Sequence, residues 1–184
     1  MNLPCETRYL DYNNDNTCGY LATAIMFYYY DDYINRSYIK SDKYIGTGYV
    51  RQKAFYDSFK LLLEDNGGGT SYTQVKNGIN KYLKSIEKNP TCTYITTANL
   101  LYNVTSKIID CIENRKPCIV GLSNEPKYGN HWVVGVRYAR YQAVDDWDLI
   151  NIDFIKINNG WYTTKSRSIV YVNSMYVDGL IYLK

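Results

Sequence analysis

The run Cys18-Gly19-Tyr20-Leu21-Ala22-Thr23-Ala24-Ile25-Met26-Phe27-Tyr28-Tyr29-Tyr30 carries no charge and, wound as a helix, presents no polar face. A helix that is apolar all round has to be buried all round. The rest of the chain must therefore enclose it, and this demand restricts the fold more than any other feature. The run is too short for the roughly 18–20 apolar residues that span a bilayer, and Asp31-Asp32-Tyr33-Ile34 ends it. Asn16 or Thr17 is suited to cap it, which puts Cys18 in the first turn.

Helical spacing continues after a loop over 35–49 with breakers at Gly46 and Gly48. A second helix is expected from Val50 to Glu64, with Ala54, Phe55, Phe59, Leu62 and Leu63 on one side, stopped by Asn66-Gly67-Gly68-Gly69. A third starts at Thr70 or Ser71 and runs to Ile86 through Val75, Ile79, Tyr82 and Leu83. Thr97 to Asn114 reads as a fourth, with Leu100, Leu101, Val104, Ile108, Ile109 and Ile112 spaced in threes and fours. After Lys116-Pro117 the period changes. Cys118–Leu122, Trp132–Tyr138, Leu149–Ile157, Ser168–Val172 and Leu180–Leu183 read as strands. Helices first and an antiparallel sheet second make an α+β layout, with residues 1–184 as one domain.

The net charge of +3 is small and its basic residues are scattered, which argues against a nucleic-acid partner. Lys81, Lys84 and Lys88 share one side of a helix and read as a solvated face. The 22 tyrosines read as a compositional bias of the source, with a sugar- or peptide-binding surface as the alternative. Met1-Asn2-Leu3-Pro4 has neither a basic start nor an apolar middle, so no secretory signal is read there. A secreted or cell-surface domain is the favoured expectation, with any signal or pro-segment outside this sequence. The five cysteines, Cys5, Cys18, Cys92, Cys111 and Cys118, form no CxxC pair, and with one histidine no zinc site is expected. Cys111 and Cys118 read as buried free thiols; in a secreted chain four of the five could pair and leave Cys18 free.

Chemistry sits where these pieces join. A thiol attacks carbonyls as a thiolate, and the start of a helix favours that anion through the helix dipole and unpaired N–H groups. Cys18 has that position. Gly19 beside it lets a substrate backbone approach, and the N–H groups there can bind a tetrahedral oxyanion. The base such a nucleophile needs can only be His131, which follows the turn Tyr128-Gly129-Asn130 and opens a strand. An imidazole in that role needs a third group to orient it. Asn159, at the end of the next strand before Gly160-Trp161, is the candidate, with Asn158 competing for the role. Each residue alone is more often structural; their joint placement in chain order is what points to catalysis.

These residues resemble a known family. Cys18-Gly19-x-x-Ala22-Thr23-Ala24 followed by Tyr28-Tyr29-Tyr30-Asp31 looks like the nucleophile helix of bacterial papain-like cysteine peptidases, closest to the bacteriocin-leader-peptidase-like and streptopain-like groups. Asn130-His131-Trp132-Val133-Val134-Gly135-Val136 resembles their histidine strand, Asn158-Asn159-Gly160-Trp161 their Asn/Asp-Gly-Trp turn, and Tyr176-Val177-Asp178-Gly179-Leu180-Ile181-Tyr182 their closing hairpin. The resemblance implies a helical lobe with a buried nucleophile helix packed on an antiparallel sheet lobe. It also implies cleavage of peptide or isopeptide bonds through a thioester by Cys18, His131 and Asn159, with a peptide or protein substrate and no cofactor. Two departures stand out. Tyr20 occupies the position where the leader-peptidase-like pattern has Pro. The Gln that completes the family's oxyanion hole is missing; Tyr12, Asn13, Asn14 and Asn16 stand there instead, and Asn14 is the candidate. Two other readings stay open: a transglutaminase-like acyltransferase with the same triad, and an inactive papain-like binding module.

Overall fold

The computed structural model describes residues 3, 16–40, 49–64, 69–98, 103–145, 148–163 and 166–184. They form a mixed α+β structure with four α-helices and a six-stranded antiparallel sheet. In chain order the elements are α1 (Cys18–Tyr29), α2 (Tyr49–Leu62), α3 (Tyr72–Ser85), β1 (Cys92–Thr96), α4 (Val104–Glu113), β2 (Cys118–Glu125), β3 (Gly129–Asp145), β4 (Asp148–Thr163), β5 (Ser166–Asn173) and β6 (Val177–Leu183). The sheet order is β1-β6-β2-β3-β4-β5.

The apolar run is enclosed as its composition requires. Every residue of α1 from Gly19 to Tyr29 is buried, between β3 on one side and α2 and α3 on the other. Phe27 stacks on Phe59 with ring centroids 5.6 Å apart and meets Tyr82 edge-on at 4.8 Å. Burying one such ring contributes about 1.5–3 kcal/mol. Many tyrosines are core residues, including Tyr20, Tyr28, Tyr29, Tyr30, Tyr38, Tyr56 and Tyr82. The Tyr82 hydroxyl donates to the Tyr38 carbonyl at 2.8 Å, so at least this phenol reaches a partner from inside the core. The helix ends at the acidic pair by widening into a π turn, Tyr30–Ile34. There the buried Asp31 carboxylate accepts the N–H groups of Tyr38 and Ile39, both at 3.0 Å, and so turns the chain back.

Several sequence boundaries needed correction. The third helix starts at Tyr72, with Ser71 as N-cap and Gln74 closing a capping box. The second ends at Leu62, and residues 66–68 of the expected stop signal lie outside the described residues, as do Gly46, Gly48, Leu100 and Leu101. The fourth helix begins at Val104 rather than Thr97, capped by Asn103, whose side chain accepts the Ser106 N–H at 2.9 Å. Thr97 is held on β6 instead: its N–H and hydroxyl donate to the Asp178 carbonyl at 2.8 and 3.2 Å. That anchor continues β1, a strand the sequence did not reveal. β1 has no strict alternation of buried and exposed positions, and its ladder with β6 supplies what its pattern lacks. Strands β3 and β4 run past their expected ends as a ribbon paired out to Asp145 and Asp148. Residues 140–144 of that ribbon are exposed, so no buried face imposes a regular alternation of apolar and polar residues there. Among the described residues no helix is long and apolar enough to cross a membrane.

Candidate active site

Cys18 is the first residue of α1 and is half-buried. Thr17 occupies the N-cap position, but its side chain makes no cap hydrogen bond. The positive end of the helix dipole is thus presented at Cys18. Asn16 precedes it in a left-handed conformation, φ 64°. Gly19 has a role the sequence did not suggest. It is buried, and a Cβ there would lie 2.1 Å from the Thr70 hydroxyl oxygen. Thr70 needs the space that this missing side chain leaves.

His131 lies near the start of β3, opposite Leu122 of β2. Its imidazole is buried and stacks on the Tyr128 ring, with centroids 5.9 Å apart and planes 18° apart. Nε2 lies 3.0 Å from the main-chain carbonyl oxygen of Asn159. A carbonyl only accepts, so Nε2 carries the proton and Nδ1 is the basic nitrogen of the neutral ring. Burial pushes the imidazole below the usual histidine value, and the Asn159 carbonyl partly opposes that by favouring the protonated ring.

The group that orients the imidazole is therefore the backbone of Asn159; the expected contact was with its side chain. The Asn159 amide donates instead to the Tyr128 hydroxyl at 3.2 Å, so that it braces the ring stacked on the imidazole. Nor is Asn159 at a strand end. β4 continues to Thr163, and its pairing with β5 is interrupted between Asn158 and Tyr162. Gly160 sits in that interruption with φ 72°, which makes it a bulge in mid-strand rather than a hairpin turn. Asn158 fixes the bulge: its buried side-chain oxygen accepts the Gly160 N–H at 3.0 Å. The bulge lies directly against α1, where a Cβ on Gly160 would come within 2.3 Å of a Leu21 methyl group. Leu21 is one turn beyond Cys18. One contact thus sets the helix that carries Cys18 against the strand whose backbone meets His131.

Cys18 and His131 line the same cleft, of about 670 Å³. Asn16, Thr70, Trp132 and Asp178 are also on its walls. The Trp132 indole N–H donates to the Thr70 carbonyl at 2.9 Å, which ties the segment before α3 to β3.

No protein-family model, curated protein or solved structure matches the chain.

Of the residues the sequence pointed to, Cys18 and His131 line one cleft and His131 bonds to the Asn159 backbone, while Asn158 shapes the backbone that carries Asn159. Asn14 lies outside the described residues, as do Tyr12 and Asn13. Asn16, the described member of that group, is on the cleft wall. The Trp161 side chain is likewise outside the described residues. Cys92, Cys111 and Cys118 are buried free thiols, and Cys5 is not among the described residues. Among the described residues no group of His, Cys, Asp and Glu is placed to hold a metal ion. Sequence reasoning missed Tyr128, Thr70 and Tyr72, because their roles are made by side chains far apart in the chain.

The bonding predicts how the two asparagines differ. Asn159→Ala keeps the carbonyl on His131 and removes the brace on Tyr128, so any turnover that depends on His131 should fall by about tenfold or less. Asn158→Ala strips a buried N–H of its acceptor, which costs about 1–3 kcal/mol, and it loosens the bulge. Urea unfolding paired with kinetics at equal folded fraction checks this. A loss above a hundredfold in Asn159→Ala would mean that its side chain, not its backbone, orients the ring.

Proposed function

We propose that the protein is a papain-like cysteine peptidase that cleaves peptide or isopeptide bonds through a thioester intermediate. The observation that carries the reading is the meeting of the chain's one histidine with the cysteine that opens a wholly buried helix, in a single cleft. Nδ1 of His131 takes the Cys18 thiol proton as the sulfur attacks the substrate carbonyl. The oxyanion that forms faces the start of α1, where the helix dipole favours negative charge. The carbon–nitrogen bond then breaks, and the imidazolium gives its proton to the departing amine. Water attacks the thioester with His131 again as base, which restores the thiol and releases the acid. Throughout, the Asn159 carbonyl holds the ring by Nε2–H and stabilises the charge it gains.

Alkylation tests this without knowledge of the substrate. If the helix terminus favours the thiolate and His131 accepts the thiol proton as the sulfur attacks, iodoacetamide should modify Cys18 well below the pH of about 8.5 at which a free thiol ionises. The buried Cys92, whose thiol burial pushes up to about 12, should stay unmodified. Brief labelling at pH 6 followed by peptide mapping gives the answer. Faster labelling of Cys111 or Cys118 than of Cys18 would sink the assignment.

A further inference from the structure

The cleft has a second chemical feature away from the sulfur. Asp178 of β6 lies on its wall and accepts a hydrogen bond from the Tyr72 hydroxyl through one carboxylate oxygen. Its backbone is fixed as well, since its carbonyl receives both donors of Thr97. The fold makes room for this pair. A Cβ on Gly121 would stand 2.0 Å from the Tyr72 hydroxyl and 2.6 Å from the Asp178 oxygen, so no other residue fits beneath it. The Tyr72 ring meets Trp132 edge-on at 4.6 Å, which gives the carboxylate an aromatic surround. Burial, reinforced by the bond to Asp178, keeps the Tyr72 phenol protonated, so it remains a donor. Among the described residues that line the cleft, Asp178 is the only acid and there is no lysine or arginine.

We infer that Asp178, with Tyr72 and Trp132, forms a subsite for a basic side chain, lysine or arginine, of the peptide bound across Cys18. An ammonium or guanidinium there pairs with the carboxylate and lies against π faces that attract cations. The inference rests on the peptidase reading for what is bound, but not for why a cation binds. The sheet sets the distance. His131 pairs with Leu122, and Leu122 pairs with Val177, the neighbour of Asp178. Two strand spacings, about 10 Å, therefore separate the main chains that carry His131 and Asp178. An extended peptide advances about 3.3 Å per residue, so a long basic side chain one or two residues from the cleaved bond reaches the carboxylate.

The test uses fluorogenic peptides of one sequence in which a single position carries Lys, Arg, norleucine or Glu, scanned over the two residues on each side of the cleaved bond. At the best position, Lys and Arg should exceed norleucine in kcat/KM by about tenfold, the sum of a part-exposed ion pair and a cation over an aromatic ring. Asp178→Asn, which keeps an acceptor for Tyr72, should bring the Lys-to-norleucine ratio within about twofold of unity. Asp178→Glu should retain the preference. A ratio unchanged in Asp178→Asn, or no basic preference at any position, overturns the subsite and leaves the pair as a clasp between α3 and β6. Calorimetric binding of the Lys and norleucine peptides to Cys18→Ala protein separates the two proposals. Charge discrimination there without turnover by the wild type would sink the peptidase and keep the subsite; turnover without discrimination would do the reverse.

Discussion

Replacing Cys18 with alanine is expected to abolish turnover, and His131→Ala to do the same, each by on the order of 10⁴-fold or more. In the proposed mechanism, the first change removes the sulfur that would form the thioester. The second removes the only imidazole in the chain, so no other histidine can stand in for it. Because the two act as one unit, the double variant should be no slower than either single one. Additive losses would mean that they act separately. Their structural costs differ. Cys18 is half-buried and its truncation should alter stability by less than about 1 kcal/mol. His131 is buried and bonded to Asn159, so its loss leaves a buried carbonyl unpaired and costs about 1–3 kcal/mol. Circular dichroism at the assay temperature confirms that both variants are folded. The wild type adds a pH signature. Burial holds the imidazole neutral to below the usual value of about 6.5. The base therefore stays competent as pH falls through that value and is lost only lower, and the acid limb of kcat/KM should lie there. A limb well above 6.5 would mean that another group limits the rate.

Gly160→Ala should be strongly damaging for a single-methyl change near the site. At φ 72° an alanine is held in the left-handed region, at about 1 kcal/mol. Its methyl group would also stand 2.3 Å from one Leu21 carbon and 2.9 Å from another. Leu21 is fully buried and has nowhere to retreat, so overpacking adds about 1–3 kcal/mol. A total near 2–4 kcal/mol should show as a lower urea midpoint with an unchanged slope. Turnover per folded molecule should fall too, because the strained bond follows the carbonyl that holds His131 and the clash pushes on the helix that carries Cys18. Adding Leu21→Ala should relieve the steric part but not the backbone part, so the two changes should be markedly non-additive. Gly160→Ala within 1 kcal/mol of wild type, and fully active, would show that this contact does not set the site.

Much of the fold is local information. The all-round apolar run of α1 can only be buried, and the threes-and-fours spacing of Val75, Ile79, Tyr82 and Leu83 can only be a helix laid against something. The position of Cys18 at a helix start and of His131 near a strand start follows from the same periodicities. β1 was illegible because its five residues do not alternate and its pairing partners, Gly179–Leu183, are more than eighty residues away. The false start of the fourth helix has the same origin, since the bonds that keep Thr97 out of it go to Asp178.

The residues of the candidate site were thus determined by the sequence, and their division of labour by the tertiary structure. Asn158-Asn159-Gly160 could be read as three residue types in a row, but not as a bulge. Whether a side chain or a carbonyl meets the imidazole depends on backbone direction, which the strand pairing and the packing of Leu21 on Gly160 decide. The same holds for Asp178, an ordinary acid in sequence. It becomes a feature of the cleft only because β6 lies beside β2 and because Gly121 leaves space for Tyr72 to reach it. Side-chain chemistry is encoded one residue at a time. Who meets whom across the sheet is fixed only when burial of α1 forces the strands and helices around it.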